Sequence, residues 1–324
     1  MNEFDKRIGL NTDLKNISKE ICKTYNIGDF VSNELITIGY EDYNYILTTN
    51  KGKYCVKIFH NERSEKDVFN YLERLKVVAN NNINSPKPIS INNDICYLLN
   101  YENNNYYICV FEYINGKNFY ELGEKLSISE VKEIAKQTAL INNIEIKPEF
   151  IYDSWAIINF EEEYSKKREY LNDELKKEFD ELLLEFNKIE FDKLPKGFVH
   201  GDIINTNVIK DEKTLWIVDY AVSNYLPRII DLAVISCNLC LSENLDETIN
   251  KIVTLLNEYN KYNKLTEYEI NCFGIFYKLA NAMHILCTTY LIETEGQSEE
   301  NNYWLNEGEL GLSYSEQIIK KLSI

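Results

Sequence analysis

The apolar positions of this chain change their period as it runs from one end to the other. They alternate through ELITIGY (34–40), YNYILTT (43–49) and KYCVKIF (53–59), and period-two alternation predicts strands with one buried face. Asn50-Lys51-Gly52 separates the second and third runs, so these two read as a hairpin. Two more strand-like runs, ICYLLNY (95–101) and YYICVFEY (106–113), flank an Asn-rich turn at Asn103-Asn104-Asn105. From 64 to about 78 the spacing is helical, with Ser64 placed as N-cap and Asp67 three residues on. Pro86 and Pro88 then stop regular structure. Beyond Gly116 helical spacing dominates, over 128–143, 161–189, 244–263 and 266–292, interrupted by two short apolar strands, NVIK (207–210) and TLWIVDY (214–220). Residues 1–27 read as polar helix.

That order predicts an α+β, bilobal architecture. Residues 1–113 form a small antiparallel β-sheet lobe with one intervening helix, residues 114–324 a larger, mainly helical lobe, and a cleft is expected between them. A chain of 324 residues is long enough for two such lobes, each with its own core. Apolar residues at 44% and charged residues at 27% are ordinary globular values and exclude wholesale disorder.

Charge narrows the choice of partner. A formal net charge of −17 argues against nucleic acid, whose phosphates require a basic surface. It is compatible with a cationic substrate, although bulk charge places no carboxylate in a pocket. No run of about 18 apolar residues crosses a membrane, and the first seven residues lack a signal peptide's apolar core. The eight cysteines are scattered, several inside apolar runs where a thiol behaves as a small hydrophobe. The C-x-x-C at Cys237 and Cys240 has no second ligand pair at metal spacing. A reduced, cytoplasmic protein is the expectation.

The chemistry concentrates in HGDIINTN (200–207) and, twelve residues after its last Asn, Asp219 of IVDY (217–220). Each polar side chain here stands beside an apolar run, at a strand end and not inside a core. Asp202 can orient a hydroxyl or accept its proton, and Asn207 and Asp219 supply hard oxygen donors suited to Mg²⁺ with phosphate. The order of these residues matches the catalytic loop and metal loop of kinase-like phosphotransferases.

On those residues the chain resembles the aminoglycoside phosphotransferase and choline kinase-like superfamily, which shares the protein-kinase bilobal fold. The resemblance runs from about Leu35 to Ile292. GYEDYNY (39–45), with Gly39 and Tyr40 at its head, resembles the family's phosphate-covering hairpin, and Lys57 the strand lysine that pairs with the α- and β-phosphates of ATP. FEYING (111–116) resembles the hinge, where Glu112 and Tyr113 would hold adenine. PRIIDLA (227–233) resembles the element whose Asp, here Asp231, braces the catalytic loop. The resemblance implies Asp202 as catalytic base or hydroxyl-orienting residue, Asn207 and Asp219 as Mg²⁺ ligands, His200 as a loop brace, and ATP as phosphoryl donor. The acceptor it implies is a hydroxyl of a small molecule (amino alcohol, sugar or aminoglycoside), because the A-P-E element of protein kinases is absent. The layout is most similar to homoserine kinase-like members.

Three departures accompany the match. The helix glutamate that pairs with the strand lysine has no single counterpart, and Asp67, Glu65 and Glu73 are all candidates. Ile204-Asn205 replaces the common His-Pro, and no acid follows Asp219-Tyr220-Ala221. A kinase-fold protein that binds a nucleotide or a partner without catalysis, as in spore-coat-like relatives, is the alternative that the unmatched glutamate favours. Intact Asp202, Asn207 and Asp219 disfavour it.

Elsewhere the expectations are structural. His60 and His284 read as packing residues, and Ile275, Phe276, Leu279, Met283 and Leu286 as a helix's core stripe. Glu161-Glu162-Glu163 and the Lys/Glu-rich stretch behind it read as a solvated helix face. Tyr303 and Trp304 either pack or line a substrate pocket.

Overall fold

The computed structural model describes residues 3–10, 13–37 and 42–322. The chain divides into two units, Met1–Lys117 with Ile209–Val218, and Asn118–Val208 with Asp219–Ile324.

In the first unit, α1 (Glu3–Arg7) and α2 (Leu14–Thr24) precede β1 (Phe30–Leu35), β2 (Tyr43–Thr49) and β3 (Gly52–Ile58). Then come α3 (Glu65–Ala79), β4 (Tyr97–Tyr101) and β5 (Asn104–Glu112). The five strands form one antiparallel sheet in the order β1-β2-β3-β5-β4. β2 alternates strictly, with Tyr43, Tyr45, Leu47 and Thr49 buried. Tyr43, Tyr45 and Leu47 meet Val56, Ile58, Ile108 and Val110 of the sheet and Ile17 and Ile21 of α2 in one apolar cluster.

Thr49 pairs with Gly52, so the β2–β3 turn has two residues, Asn50 and Lys51. The β4–β5 turn is also two residues, Glu102 and Asn103, both at positive φ as the right-handed twist of a tight hairpin demands. It lies one residue earlier than the Asn cluster suggests. β1 begins at Phe30, four residues ahead of the predicted run, and Ile38 to Glu41 lie outside the described residues. α3 carries the predicted cap, made reciprocal by Asp67: Ser64 accepts from the Asp67 N–H and Asp67 accepts from the Ser64 N–H.

The second unit begins after β6 (Lys117–Asn118) with α4 (Phe119–Leu122) and α5 (Ile128–Asn142). The predicted helix 161–189 is two helices, α6 (Phe160–Lys167) and α7 (Asp173–Phe186). Asn172 stops the run, because its side chain accepts the Leu175 N–H and caps α7. The solvated-face expectation fails inside α6. Glu163 and Lys167 are buried and paired at 2.6 Å, so one charge pair of α6 points into the protein while Glu161, Glu162 and Lys166 stay exposed.

β7 (Lys196–Val199) leads to the His-Gly-Asp segment; β8 (Val208–Lys210) and β9 (Leu215–Ile217) follow it, and β10 (Asn224–Pro227) returns to pair antiparallel with β7. α8 (Ile229–Asn238), α9 (Leu245–Tyr262), α10 (Glu267–Glu295) and α11 (Glu299–Leu322) complete the chain. On α10 the predicted stripe is core: Phe276, Leu279, Met283 and Leu286 are buried, with Ile275 at the edge. α11 approaches α10 through Gly308 and Gly311; a Cβ at Gly311 would stand 1.8 Å from Asn281 Oδ1. Among the described residues no helix is long and apolar enough to cross a membrane.

Candidate active site

β7 carries the chain, fully buried at Phe198 and Val199, into the loop that begins at His200. Beneath that loop lies Asp231, near the start of α8 and without exposed surface. Its Oδ2 accepts the His200 N–H at 3.1 Å and the Asn142 carboxamide at 2.7 Å, and its Oδ1 accepts the Gly201 N–H at 2.8 Å. Asn142 is oriented in turn by the Tyr259 hydroxyl, which donates to its Oδ1 at 2.8 Å, and by donating to the Phe198 carbonyl at 3.0 Å. Burial pushes the Asp231 carboxyl up to about 6, although these N–H donors all favour its charged form. Asp231 thus braces the loop, as the sequence implies.

Gly201 sits at φ +85°, a conformation that a side chain would strain, and lets the chain turn directly behind His200. The His200 ring is wholly buried against Tyr220, and its Nδ1 accepts the Asp202 N–H at 3.2 Å. It is a structural part of the loop. Asp202, half-buried, accepts from the Asn207 carboxamide nitrogen at both its Oδ2 (2.7 Å) and its main-chain carbonyl (3.0 Å). That nitrogen is committed to Asp202, which leaves the Asn207 carbonyl oxygen as the side chain's acceptor atom. Asp219 is exposed and holds φ +64°, rare outside glycine; its Oδ1 accepts the Ala221 N–H at 3.2 Å. A carboxamide oxygen and a carboxylate are the hard donors Mg²⁺ prefers, so this pair fits that ion in donor chemistry.

In the first unit Lys57 lies on β3, buried among apolar neighbours, with Tyr71 beneath its ammonium at 5.4 Å. Its Nζ is 3.1 Å from Asp42 Oδ2. Asp42 is itself buried, and also takes the Arg63 guanidinium (Nε at 2.8 Å, Nη2 at 3.3 Å) and the His60 N–H at 3.1 Å. Burial alone would raise the Asp42 carboxyl, but Lys57, Arg63 and the His60 N–H outweigh it and hold it below the usual range. The α3 acids are placed otherwise: Asp67 caps its helix, Glu65 accepts the Tyr107 hydroxyl at 3.3 Å, and Glu73 is exposed. Sequence reading missed Asp42, because a turn of three residues, Asn50-Lys51-Gly52, sets Tyr45 and not Asn44 opposite Lys57. A two-residue turn at Asn50-Lys51 sets Asn44 opposite Lys57, which puts Asp42 on the same face, one diagonal step away.

Gly39 and Tyr40 lie outside the described residues. Glu112 ends β5 with an exposed side chain and donates its N–H to the Lys87 carbonyl; Tyr113 follows, half-buried, with Lys53 over its ring at 5.4 Å.

Two residues the sequence left undecided meet beside the loop. Asn205 is buried, donates from Nδ2 to the Tyr303 hydroxyl at 2.7 Å, and donates its backbone N–H to Asn238 Oδ1 at 2.8 Å. Tyr303 also packs edge-on against Tyr120 and Trp304, and Lys125 bonds both its hydroxyl and Glu307. Trp304 is core, its ring tilted against that of His284, whose burial lowers its pKa to about 4. Cys237 and Cys240 are buried thiols, Cys240 pushed up to about 12 by that burial.

An antiparallel sheet unit bearing a buried strand lysine, with a mainly helical unit bearing a braced His-Gly-Asp loop, defines a kinase-like phosphotransferase. The chain belongs to the phosphotransferase enzyme family (APH), whose sequence profile matches residues 33–262. It is 22% identical over 258 residues to a homoserine kinase of Methylobacillus flagellatus, covering 76% of each chain. Among solved structures it resembles the amicoumacin kinase hAmiN in complex with AMP-PNP, Ca²⁺ and Ami. There the TM-score is 0.67 at 17% identity, over 98% of this chain and 96% of that one. It also resembles a microcompartment-associated aminopropanol kinase, with TM-score 0.66 at 13% identity, over 95% of this chain and 98% of that one.

Proposed function

We propose that this phosphotransferase moves the γ-phosphate of ATP to a hydroxyl of a small amino alcohol of homoserine size. The observation that carries the reading is Asp202 held by Asn207 at 2.7 Å on a loop clamped from below by buried Asp231. A carboxylate fixed in this way can orient an acceptor hydroxyl and take its proton as the bond to phosphorus forms. Asn207 and Asp219 would hold Mg²⁺, which supplies charge neutralisation on the transferred group. In the first unit Lys57 would pair with the α- and β-phosphates, Gly39 and Tyr40 would cover them, and Glu112 and Tyr113 would hold the base. The 22% identity to homoserine kinase, together with fold neighbours named for aminopropanol, choline and amicoumacin, supports a hydroxylated and often amino-bearing acceptor.

The test is ADP release from Mg-ATP against homoserine, 1-amino-2-propanol, choline, methylthioribose and several aminoglycosides, with Asp202→Asn alongside. The expected result is turnover on one amino alcohol, reduced about 10²–10⁴-fold in the variant, the range for loss of a positioned general base. Equal ADP release by both proteins on every acceptor would overturn the assignment of Asp202.

A further inference from the structure

Lys57 is a buried ammonium, and a buried cation needs a carboxylate as well shielded as itself. Asp42 is that group. Its side chain is 1% exposed, against 10% for the lysine, and both of its oxygens are engaged: Oδ2 by Lys57 and Arg63, Oδ1 by Arg63 and the His60 N–H. The Arg63 fork is bidentate, the geometry that fixes a carboxylate in direction as well as position.

Where the carboxylate comes from matters more than its identity. Asn44 and Lys57 are ladder partners, so Asp42 and Lys57 share one face of a single hairpin whose register is set by its two-residue turn. A lysine partner carried on a helix can leave when the helix shifts. Asp42 stands directly before β2, one residue from the ladder pair Tyr43–Ile58, so its position follows the hairpin and not the helix.

We propose that Asp42 is the positioning residue that presents Lys57 to the nucleotide phosphates, and that the acids of α3 (Glu65, Asp67 and Glu73) play no part in this ion pair, α3 contributing only the Tyr71 ring at 5.4 Å from the ammonium. The inference rests on the kinase reading above and deepens it. It removes the one feature of the sequence that favours a binding-only protein, because the lysine's anchor is present on a different element. The site is then assembled before nucleotide arrives, with Arg63 as the clasp on the anchor.

Two variants and two readouts test this. In Asp42→Asn, KM for Mg-ATP is expected to rise about tenfold or more while KM for the acceptor stays within about twofold, a split that general loss of structure does not give. The combined variant Glu65→Gln/Asp67→Asn/Glu73→Gln is expected to keep both constants within about threefold. The second readout needs no turnover: trace acetylation of the native protein, with Lys57 modification read by peptide mass spectrometry. Losing its ion pair should make the Lys57 amine several-fold more reactive in Asp42→Asn and leave it unchanged in the triple variant. A tenfold loss of ATP affinity in the triple variant would overturn the proposal even if Asp42→Asn fails to fold. So would an unchanged ATP constant in a folded Asp42→Asn. A parent protein that neither binds nor turns over Mg-ATP sinks the kinase reading instead, and the acetylation ratio still decides whether Asp42 holds Lys57.

Discussion

Replacing Asp231 by Asn probes the carboxylate under the His-Gly-Asp loop through its titration. Asp231 has no exposed surface, and burial raises its carboxyl from an ordinary 3.8 to about 6, even with N–H bonds from His200, Gly201 and Asn142. An acid whose folded value lies above its unfolded value contributes stability that is fully present below pH 3.8. That contribution is lost as pH rises through about 6. At about 1.4 kcal/mol per pH unit the gap amounts to about 3 kcal/mol. Asn does not titrate, so this part of the pH dependence vanishes in the variant. A separate and pH-independent loss remains. The carboxamide sets an NH₂ where an oxygen accepted an N–H, and one opposed buried donor costs about 1–3 kcal/mol. Relative to the parent, Asp231→Asn should therefore gain most of those 3 kcal/mol between pH 4 and pH 7.5. Urea unfolding at half-unit pH steps, followed by tryptophan fluorescence and far-UV circular dichroism, gives the difference directly, because every other carboxylate titrates in both proteins and cancels. A difference flat to about 0.5 kcal/mol across that range would refute the reasoning, since the resolution of such fits suffices to see the slope. A slope of the opposite sign would mean that the loop's N–H groups outweigh burial.

Other perturbations read other parts of the second unit. Glu163→Gln strands the buried Lys167 ammonium and should destabilise by about 3–5 kcal/mol, with Glu163→Leu/Lys167→Met recovering most of it in urea titrations. Gly311→Ala drives a methyl into Asn281, whose carboxamide is held by the Tyr277 carbonyl at 2.8 Å. It should cost about 3 kcal/mol and lower the melting temperature, whereas Gly123→Ala, with open space around it but a positive φ, should cost about 1 kcal/mol. Tyr303→Phe takes the acceptor from Asn205 Nδ2 and should cost about 1–2 kcal/mol in the same assay.

What the sequence disclosed and what it hid divide along one physical line. Local signals were legible. The alternation of β2, the Ser64–Asp67 cap and the stripe on α10 all depend on the spacing of near neighbours along one element. The pairs that needed three-dimensional register were not. Glu163 and Lys167 read as solvated because i,i+4 charges look alike on either face of a helix, and only packing against α10 decides which face is buried. Tyr303 finds Asn205 across 98 residues, and Asn142 finds Asp231 across 89, separations at which no periodicity carries information. Asp42 is the intermediate case. It is 15 residues from Lys57, close enough that the hairpin turn fixes the pairing, whereas the resemblance implies an acid on the helix that follows. Counting ladder positions outward from the two-residue turn reaches Asp42, whereas the three-residue turn read from the sequence sets Tyr45 opposite Lys57 and turns Asp42 to the other face. A strand lysine in a kinase-like chain should therefore be tested first against the acids on its own hairpin face, and only then against the helix that follows.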